Sequence, residues 1–183
     1  MSTSKKYWPF AAVALVVTGR VVAAPEVDDF TPIPISDEFY IDRTTPFEIT
    51  EPDFTVITEL TAGDCTLTFS PGVEARSFGF PPDPRVLFSQ DATSIEMTLS
   101  ENCAASTFGF EGHSILFDTA VEMTATFYGD ELLGTISLSV LGRAGPRLFA
   151  ADSDPPISRV VFSAKTAFAV GRIRFALPEL GQH

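Results

Sequence analysis

The sequence is poor in basic residues, in sulfur and in imidazole. It has 183 residues with 12 Lys+Arg against 24 Asp+Glu, a formal net charge of −12, two Cys and two His. Binding of phosphate backbones requires a basic face, so this balance disfavours nucleic-acid partners. Zinc clusters use Cys and His, and two of each leave little room for one. With 45% apolar and 20% charged residues, the chain is nevertheless expected to fold, at a length typical of one domain.

An apolar run near the start, residues 8–17 (WPFAAVALVV), is too short to cross a bilayer. It follows Lys5 and Lys6 and precedes small residues that end at Ala23. Ten residues do not span a core of roughly 30 Å, whereas this order is typical of a secretory signal peptide. We predict that residues 1–23 are cleaved, which leaves a secreted or periplasmic protein without a membrane span. The alternative is an uncleaved anchor or a chance apolar start.

The segment after the predicted cleavage site is acidic and rich in proline. Removing residues 1–23 leaves nine bases against 24 acids. Residues 24–53 are predicted to be an extended arm with one strand at residues 38–42 (EFYID), residues 54–177 the folded domain and residues 178–183 a tail. The acidity either solvates an extracellular surface or complements the Arg-rich C-terminal strands, within one copy or between copies.

Apolar and polar residues alternate along most of the domain. Ile95, Met97 and Leu99 alternate with polar neighbours. The same alternation continues in residues 119–129 (TAVEMTATFYG) and 131–140 (ELLGTISLSV). A period of two predicts antiparallel sheet covered on one face, and Gly129-Asp130 predicts a hairpin turn between the last two runs. Further strands are predicted at residues 54–60, 65–70, 85–89, 106–111, 147–151, 158–164 and 167–175.

In the last of these strands the inward parity changes at Gly171, which predicts a β-bulge there. No dozen-residue window of the mature chain shows convincing helical periodicity. The predicted fold is therefore all-β: a two-sheet antiparallel β-sandwich of jelly-roll type with an extended N-terminal arm.

The two cysteines, Cys65 and Cys103, stand beside predicted strands. In an exported chain they are expected to form a disulfide, whose loop of about 39 residues would contribute on the order of 3–4 kcal/mol. Two free buried thiols are the alternative.

The order of the later strands resembles a known family. STFGFE (106–111), VEMTATFYGDELLGTISLSV (121–140), RLFAADSDPPISRVVFS (147–163) and AFAVGRIRF (167–175) are similar to bacterial exported β-sandwich domains of the kind found in PEP-CTERM-type secreted proteins. The resemblance covers roughly residues 94–176 and implies a secreted sandwich similar in shape to carbohydrate-binding jelly rolls. Val170-Gly171-Arg172 replaces the family's Ile-Asp-Asn, so a polar site there is not carried over. The final ALPELGQH has no apolar span and no basic run, so we expect no sorting anchor of the family's kind.

Catalytic motifs are missing from the sequence. G-x-S-x-G, H-E-x-x-H, Walker A and G-x-G-x-x-G do not occur. His113 adjoins Ser114 and follows Glu111, but neighbouring residues of a strand point to opposite faces. We therefore expect an exposed loop histidine and no enzyme. No cofactor is expected either, apart from calcium at Asp28 and Asp29 or at Asp152 and Asp154, where an aspartate-initiated turn before Pro155 is the simpler interpretation.

The mature chain has no Trp, and its Phe residues occupy alternating positions typical of a core, which disfavours a flat aromatic platform for sugars. Sugar binding through polar groups near hairpin ends is the remaining route. The candidates are Glu111, His113, Tyr128 and Asp130.

The expected function is non-catalytic extracellular recognition of carbohydrate or of cell-surface or matrix material. The alternative is a structural subunit that assembles through sheet edges or the arm, in a matrix or surface layer. A secreted hydrolase is the third hypothesis.

Overall fold

The computed structural model describes residues 29–34, 39–80 and 85–179. The predicted signal peptide, Asp28 and the last residues of the predicted tail lie outside these ranges. The strands are β1 (Asp29–Pro32), β2 (Thr45–Pro46), β3 (Val56–Ala62), β4 (Cys65–Arg76), β5 (Val86–Phe88), β6 (Ser94–Leu99), β7 (Ala105–Ser114), β8 (Val121–Tyr128), β9 (Leu132–Val140), β10 (Arg147–Ile157), β11 (Arg159–Ala164) and β12 (Phe168–Ala176). One helical turn, α1 (Phe39–Asp42), and two 3-10 turns (Glu101–Cys103 and Gly142–Ala144) complete the description.

The strands form one antiparallel, nearly closed sheet in the order β1-β10-β7-β12-β5-β4-β6-β11-β8-β9, with β2 on β12 and β3 on β4. The sheet folds onto itself as two layers. Phe162 of β11 meets Phe110 of β7 and Phe168 of β12 across the core, with ring centroids 4.8 Å apart in each pair. The predicted all-β antiparallel sandwich is therefore confirmed.

The layers are joined by β4, whose two halves pair with different strands. Leu67–Ser70 pair with β6, and Glu74–Arg76 pair with β5. Each strand predicted between residues 54 and 175 is present, because period-two alternation places one row of side chains in the core. In β8, for example, Val121, Met123, Ala125 and Phe127 are buried, while the residues that alternate with them are not.

The predicted bulge at Gly171 is confirmed. The ladder between β12 and β7 shifts register between Gly171 and Arg174, and Arg172 has a positive φ of 45°. Val170 and Ile173 are both fully buried, so the extra residue changes the inward parity. Arg172 and Arg174 consequently face outward on the layer formed by β10, β7 and β12.

The arm is hydrogen-bonded to this layer at two places. β1 pairs with β10, and β2 pairs with β12. The strand predicted at residues 38–42 is wrong, because residues 39–42 form α1. The Ile41 carbonyl of this turn accepts from Arg174 of β12, and the Tyr40 carbonyl accepts from the Thr44 hydroxyl. No local sequence pattern reveals a partner as distant as Arg174.

The predicted Cys65–Cys103 disulfide is present and joins the start of β4 to the 3-10 turn before β7. The alternative of two free thiols is therefore wrong. Within the described ranges, no helix is long and apolar enough to cross a bilayer.

Candidate functional site

A cleft of about 460 Å³ lies on the outer face of the β10-β7-β12 layer, where the arm covers it. Glu111 of β7, Leu148 of β10 and the outward residues of β12 contribute one side, because residues alternating with the core positions point to this face. α1, β2 and the residues after β2 contribute the other side. The lining residues are Tyr40, Ile41, Pro46, Phe47, Glu48, Ile49, Arg85, Glu111, Leu148, Arg172 and Arg174.

Glu111 is the most enclosed carboxylate of the cleft. Its Oε1 accepts a hydrogen bond of 3.0 Å from Arg172, which the bulge has turned outward. Its Oε2 is buried and has no hydrogen-bond partner in the described part of the chain; it lies 3.7 Å from Nε2 of His113. Glu111 therefore offers one acceptor oxygen beside a guanidinium group.

His113 is held in β7 and is only 3% exposed, so the expected exposed loop histidine is wrong. Phe80 packs edge-on against its ring at 5.8 Å. Burial lowers the pKa of His113 to about 4, and the positive charge of Arg172 lowers it as well. The imidazole is thus neutral near pH 7. His113 does not line the cleft; it lies beside Glu111, which does.

Arg174 holds the arm in place. Its guanidinium donates to Oγ1 of Thr44 at 2.8 Å, to the Thr44 carbonyl at 2.6 Å and to the Ile41 carbonyl at 2.8 Å. These bonds hold α1 against the sheet, so Arg174 has a structural role.

Tyr40 of α1 lies across the sheet at Gly109. A Cβ atom at Gly109 would lie 2.6 Å from the Tyr40 hydroxyl oxygen and 2.3 Å from the Ala150 Cβ, so only glycine permits this approach. The Tyr40 hydroxyl is buried and has no hydrogen-bond partner among the residues that the structure describes. Burial raises the pKa of Tyr40, so the phenol keeps its proton.

Arg85 forms the wall of the cleft next to β5. It donates to the Glu51 carbonyl and lies 3.8 Å from Oδ1 of Asp53, whose Oδ2 accepts a 2.6 Å hydrogen bond from Ser77. Its side chain is 39% exposed. The cleft therefore combines carboxylate, phenol and guanidinium groups with apolar side chains.

The structure brings together two of the four predicted ligand-binding residues. Glu111 and His113 are neighbours, whereas Tyr128 and Asp130 lie at the end of β8, in the opposite layer. The Arg159 guanidinium lies over the Tyr128 ring, with its Cζ 4.1 Å from the ring centroid. Asp130 is exposed in the turn before β9. The four residues predicted near hairpin ends therefore do not lie together in the structure.

Of the aspartates proposed for calcium, Asp29, Asp152 and Asp154 lie on paired strands, and Asp28 lies outside the described residues. Asp152 and Asp154 belong to β10, so the predicted turn there is wrong. β1 supplies a partner strand with Asp29 opposite Asp154, and Pro155-Pro156 fall within a break in the β7 ladder, where proline is tolerated. Asp152 accepts from Thr107 at 2.6 Å and pairs with Arg43 at 2.9 Å. Over the described ranges no group of three His, Cys, Asp or Glu could hold a metal ion.

Of the eleven residues that line the cleft, the sequence predicted only Glu111 as a site residue; the polar residues that it missed are Tyr40, Glu48, Arg85, Arg172 and Arg174. The signal for two of them was present, because a bulge at Gly171 turns the alternate residues Arg172 and Arg174 to the outer face. Tyr40 and Arg85 carried no local signal, since they reach the cleft only through the path of the arm and of the loop before β5.

No protein-family model matches the chain, and no curated protein matches it. Among solved structures, it is similar to CsCBM6-3 from Clostridium stercorarium, determined in complex with cellobiose, with 15% sequence identity and a TM-score of 0.36. The alignment covers 71% of this chain and 100% of that chain. At this identity and TM-score the similarity is too low to indicate a shared ligand.

Proposed function

We propose that this protein is a secreted, non-catalytic β-sandwich protein that binds carbohydrate in the cleft beneath the arm. The observation that carries the proposal is that two residues lining the cleft, Glu111 and Tyr40, each hold a buried polar atom, Oε2 and the phenol hydroxyl, with no hydrogen-bond partner among the described residues. A sugar hydroxyl both donates and accepts hydrogen bonds, so it can donate to the carboxylate while it accepts from a phenol or a guanidinium.

The shape and the apolar parts of the cleft support a small organic ligand. A volume of about 460 Å³ falls within the range of roughly 300–1,000 Å³ that is usual for ligand sites. Leu148 and Ile41 provide apolar surface for the carbon faces of a sugar ring. The disulfide supports an extracellular location, because such bonds persist in oxidising compartments.

Binding is preferred to hydrolysis because the imidazole of His113 is buried and does not line the cleft. The cleft has two carboxylates, Glu48 and Glu111. Glycosidases use two carboxyl groups, so hydrolysis of a bound sugar has to be tested as well. Release of reducing sugar from any polysaccharide that binds would overturn the non-catalytic part of the proposal.

The test is a panel of soluble polysaccharides titrated calorimetrically against the full chain as secreted. For a polysaccharide that binds, Glu111→Gln is expected to weaken binding at least about tenfold, because the amide replaces an acceptor by a donor. Glu122→Gln, on an exposed position of β8 in the other layer, is the matched control and should bind like the wild type. Equal loss in both variants, or no binding across the panel, would contradict the proposal.

A second candidate, self-assembly as a structural subunit, is favoured by one observation. Phe54 and Phe78 are 63% and 50% exposed and their rings lie 5.7 Å apart, with Phe54 at a positive φ of 69° that bulky residues avoid. If a second copy covers this pair, light scattering during size-exclusion chromatography should show concentration-dependent oligomers, and Phe54→Ser with Phe78→Ser should abolish them. A monomer at all concentrations rejects this candidate.

A further inference from the structure

Positive charge is concentrated in the cleft of an otherwise acidic protein. The chain carries a formal charge of −12 and has nine arginines, of which Arg85, Arg172 and Arg174 line this one cleft. They outnumber the lining carboxylates, Glu48 and Glu111. A concave site with apolar walls strengthens the field of such charges, so the cleft attracts anions although the whole molecule repels them.

Two of these arginines are placed next to each other by strand pairing. The antiparallel ladder between β12 and β5 ends at Gly171 opposite Val86, so Arg172 follows this pair on β12 and Arg85 immediately precedes β5 beside it. Like charges at opposed positions of neighbouring strands are unfavourable. Glu111 pairs with Arg172 and Asp53 lies beside Arg85, and an anion between the two arginines would reduce their repulsion further.

The three arginines differ in how many of their donors are used within the protein. Arg174 is engaged by the arm through three hydrogen bonds. Arg172 bonds Glu111 through NH1 and its side chain is 51% exposed, while that of Arg85 is 39% exposed. Since a guanidinium has five N–H donors in a planar fork, Arg172 and Arg85 retain a surface that fits a carboxylate.

The neighbouring acceptor defines the rest of the ligand. The buried Oε2 of Glu111 repels an anion but accepts from a hydroxyl group. The ligand must therefore carry an anionic group for the arginines and, at a separate position, hydroxyl groups for Glu111.

From this arrangement we infer that the carbohydrate is a uronate-type acidic sugar, whose carboxylate binds Arg172 and Arg85 while ring hydroxyls donate to Glu111. This inference rests on the proposed function and specifies its ligand class. A uronic acid carries both required groups on one ring, whereas a neutral sugar has no carboxylate for Arg172 and Arg85 to bind.

The test compares uronate oligosaccharides with their fully methyl-esterified forms, which keep the hydroxyl groups and lose the charge. Oligogalacturonate, alginate oligomers and hyaluronan oligomers are each titrated against the full chain together with the matched ester. At least one acid form is expected to bind about tenfold or more tightly than its ester. Raising the salt concentration from about 0.05 to 0.5 M should weaken only the acid form, because salt screens the charged contact.

Variants assign the effect to the cleft. Arg172→Gln should abolish the preference for acid over ester. Arg143→Gln removes an arginine that pairs with Asp118 at an exposed site and should retain the preference. The thermal midpoint of each variant is measured, and Arg85→Gln serves as a second cleft variant if Arg172→Gln does not fold.

The possible outcomes separate the two proposals. If acid and ester bind equally and Glu111→Gln still weakens both, the charge inference is overturned and the proposed function stands. If the tricarboxylate citrate binds as tightly as any uronate and with the same dependence on Arg172, recognition is of carboxylates alone and the carbohydrate proposal falls. If neutral sugars bind and no uronate does, the inference is likewise overturned.

Discussion

His113 illustrates how the environment of one side chain creates a dependence on pH. The imidazole is enclosed by Phe80, and the groups that face it include Glu111 and Arg172. Its pKa is about 4 in the folded protein against 6.5 for an ordinary histidine, because burial disfavours the charged form. As the pH falls, the unfolded chain therefore takes up a proton before the folded protein does.

The sign of the effect follows from this order of protonation. The contribution of His113 to stability is complete above pH 6.5 and is lost as the pH falls towards about 4. We expect a loss of about 3 kcal/mol in the free energy of unfolding over this window, which the variant His113→Gln should lack. Urea titrations of both proteins at several pH values measure the difference, and parallel pH profiles would refute the assignment to His113.

At the scale of elements, the arm shows why packing decides what local sequence leaves open. α1 has four residues, too few for an independently stable helix. Its position depends on Arg174, which is 130 residues away from Thr44 in the chain. The arm and β12 are thus one unit in the structure although they are distant in sequence.

Arg174→Lys tests this unit. A lysine keeps the charge but replaces the planar fork by one ammonium group, so at least one carbonyl of α1 loses its partner. We expect the variant to lose about 1–3 kcal/mol of stability and to exchange amide hydrogens faster over residues 39–49, with weaker ligand binding. Arg143→Lys, in an exposed ion pair, is the control and should change stability by less than about 0.5 kcal/mol. Unchanged exchange in Arg174→Lys would mean that other contacts hold the arm.

The strands themselves were predictable because their alternation is a local property. In β8 and β11 each second side chain enters the core, and this pattern can be read without knowing the partner strand. The failures have non-local causes. The turn expected at Asp152 is strand because β1 pairs there. The strand expected at residues 38–42 is α1, whose Ile41 carbonyl is bound by the distant Arg174.

For the whole molecule, the Cys65–Cys103 disulfide links residues 38 positions apart. In the loop-entropy account the bond stabilises by restricting the unfolded chain, by about 3–4 kcal/mol for this loop. The double variant Cys65→Ala with Cys103→Ala should lower the free energy of unfolding by that amount, as measured by denaturant titration. Wild-type protein unfolded under reducing conditions is the matched comparison. A loss below about 1 kcal/mol would show that the loop is already restricted in the unfolded state.

The fold class, the disulfide and the bulge at Gly171 could all be predicted from the amino-acid sequence, because they depend on periodicity, on the small number of cysteines and on one local change of parity. The cleft could not. Its walls come from the arm, from the loop before β5 and from β7, β10 and β12. These segments lie side by side only because of the order of the strands in the sheet. Arg172 and Arg85 become neighbours only when β12 pairs with β5, and Tyr40 reaches the sheet only because Gly109 leaves space for it. Alternation specifies which face a side chain occupies, but only the packed sheet decides which side chains share that face.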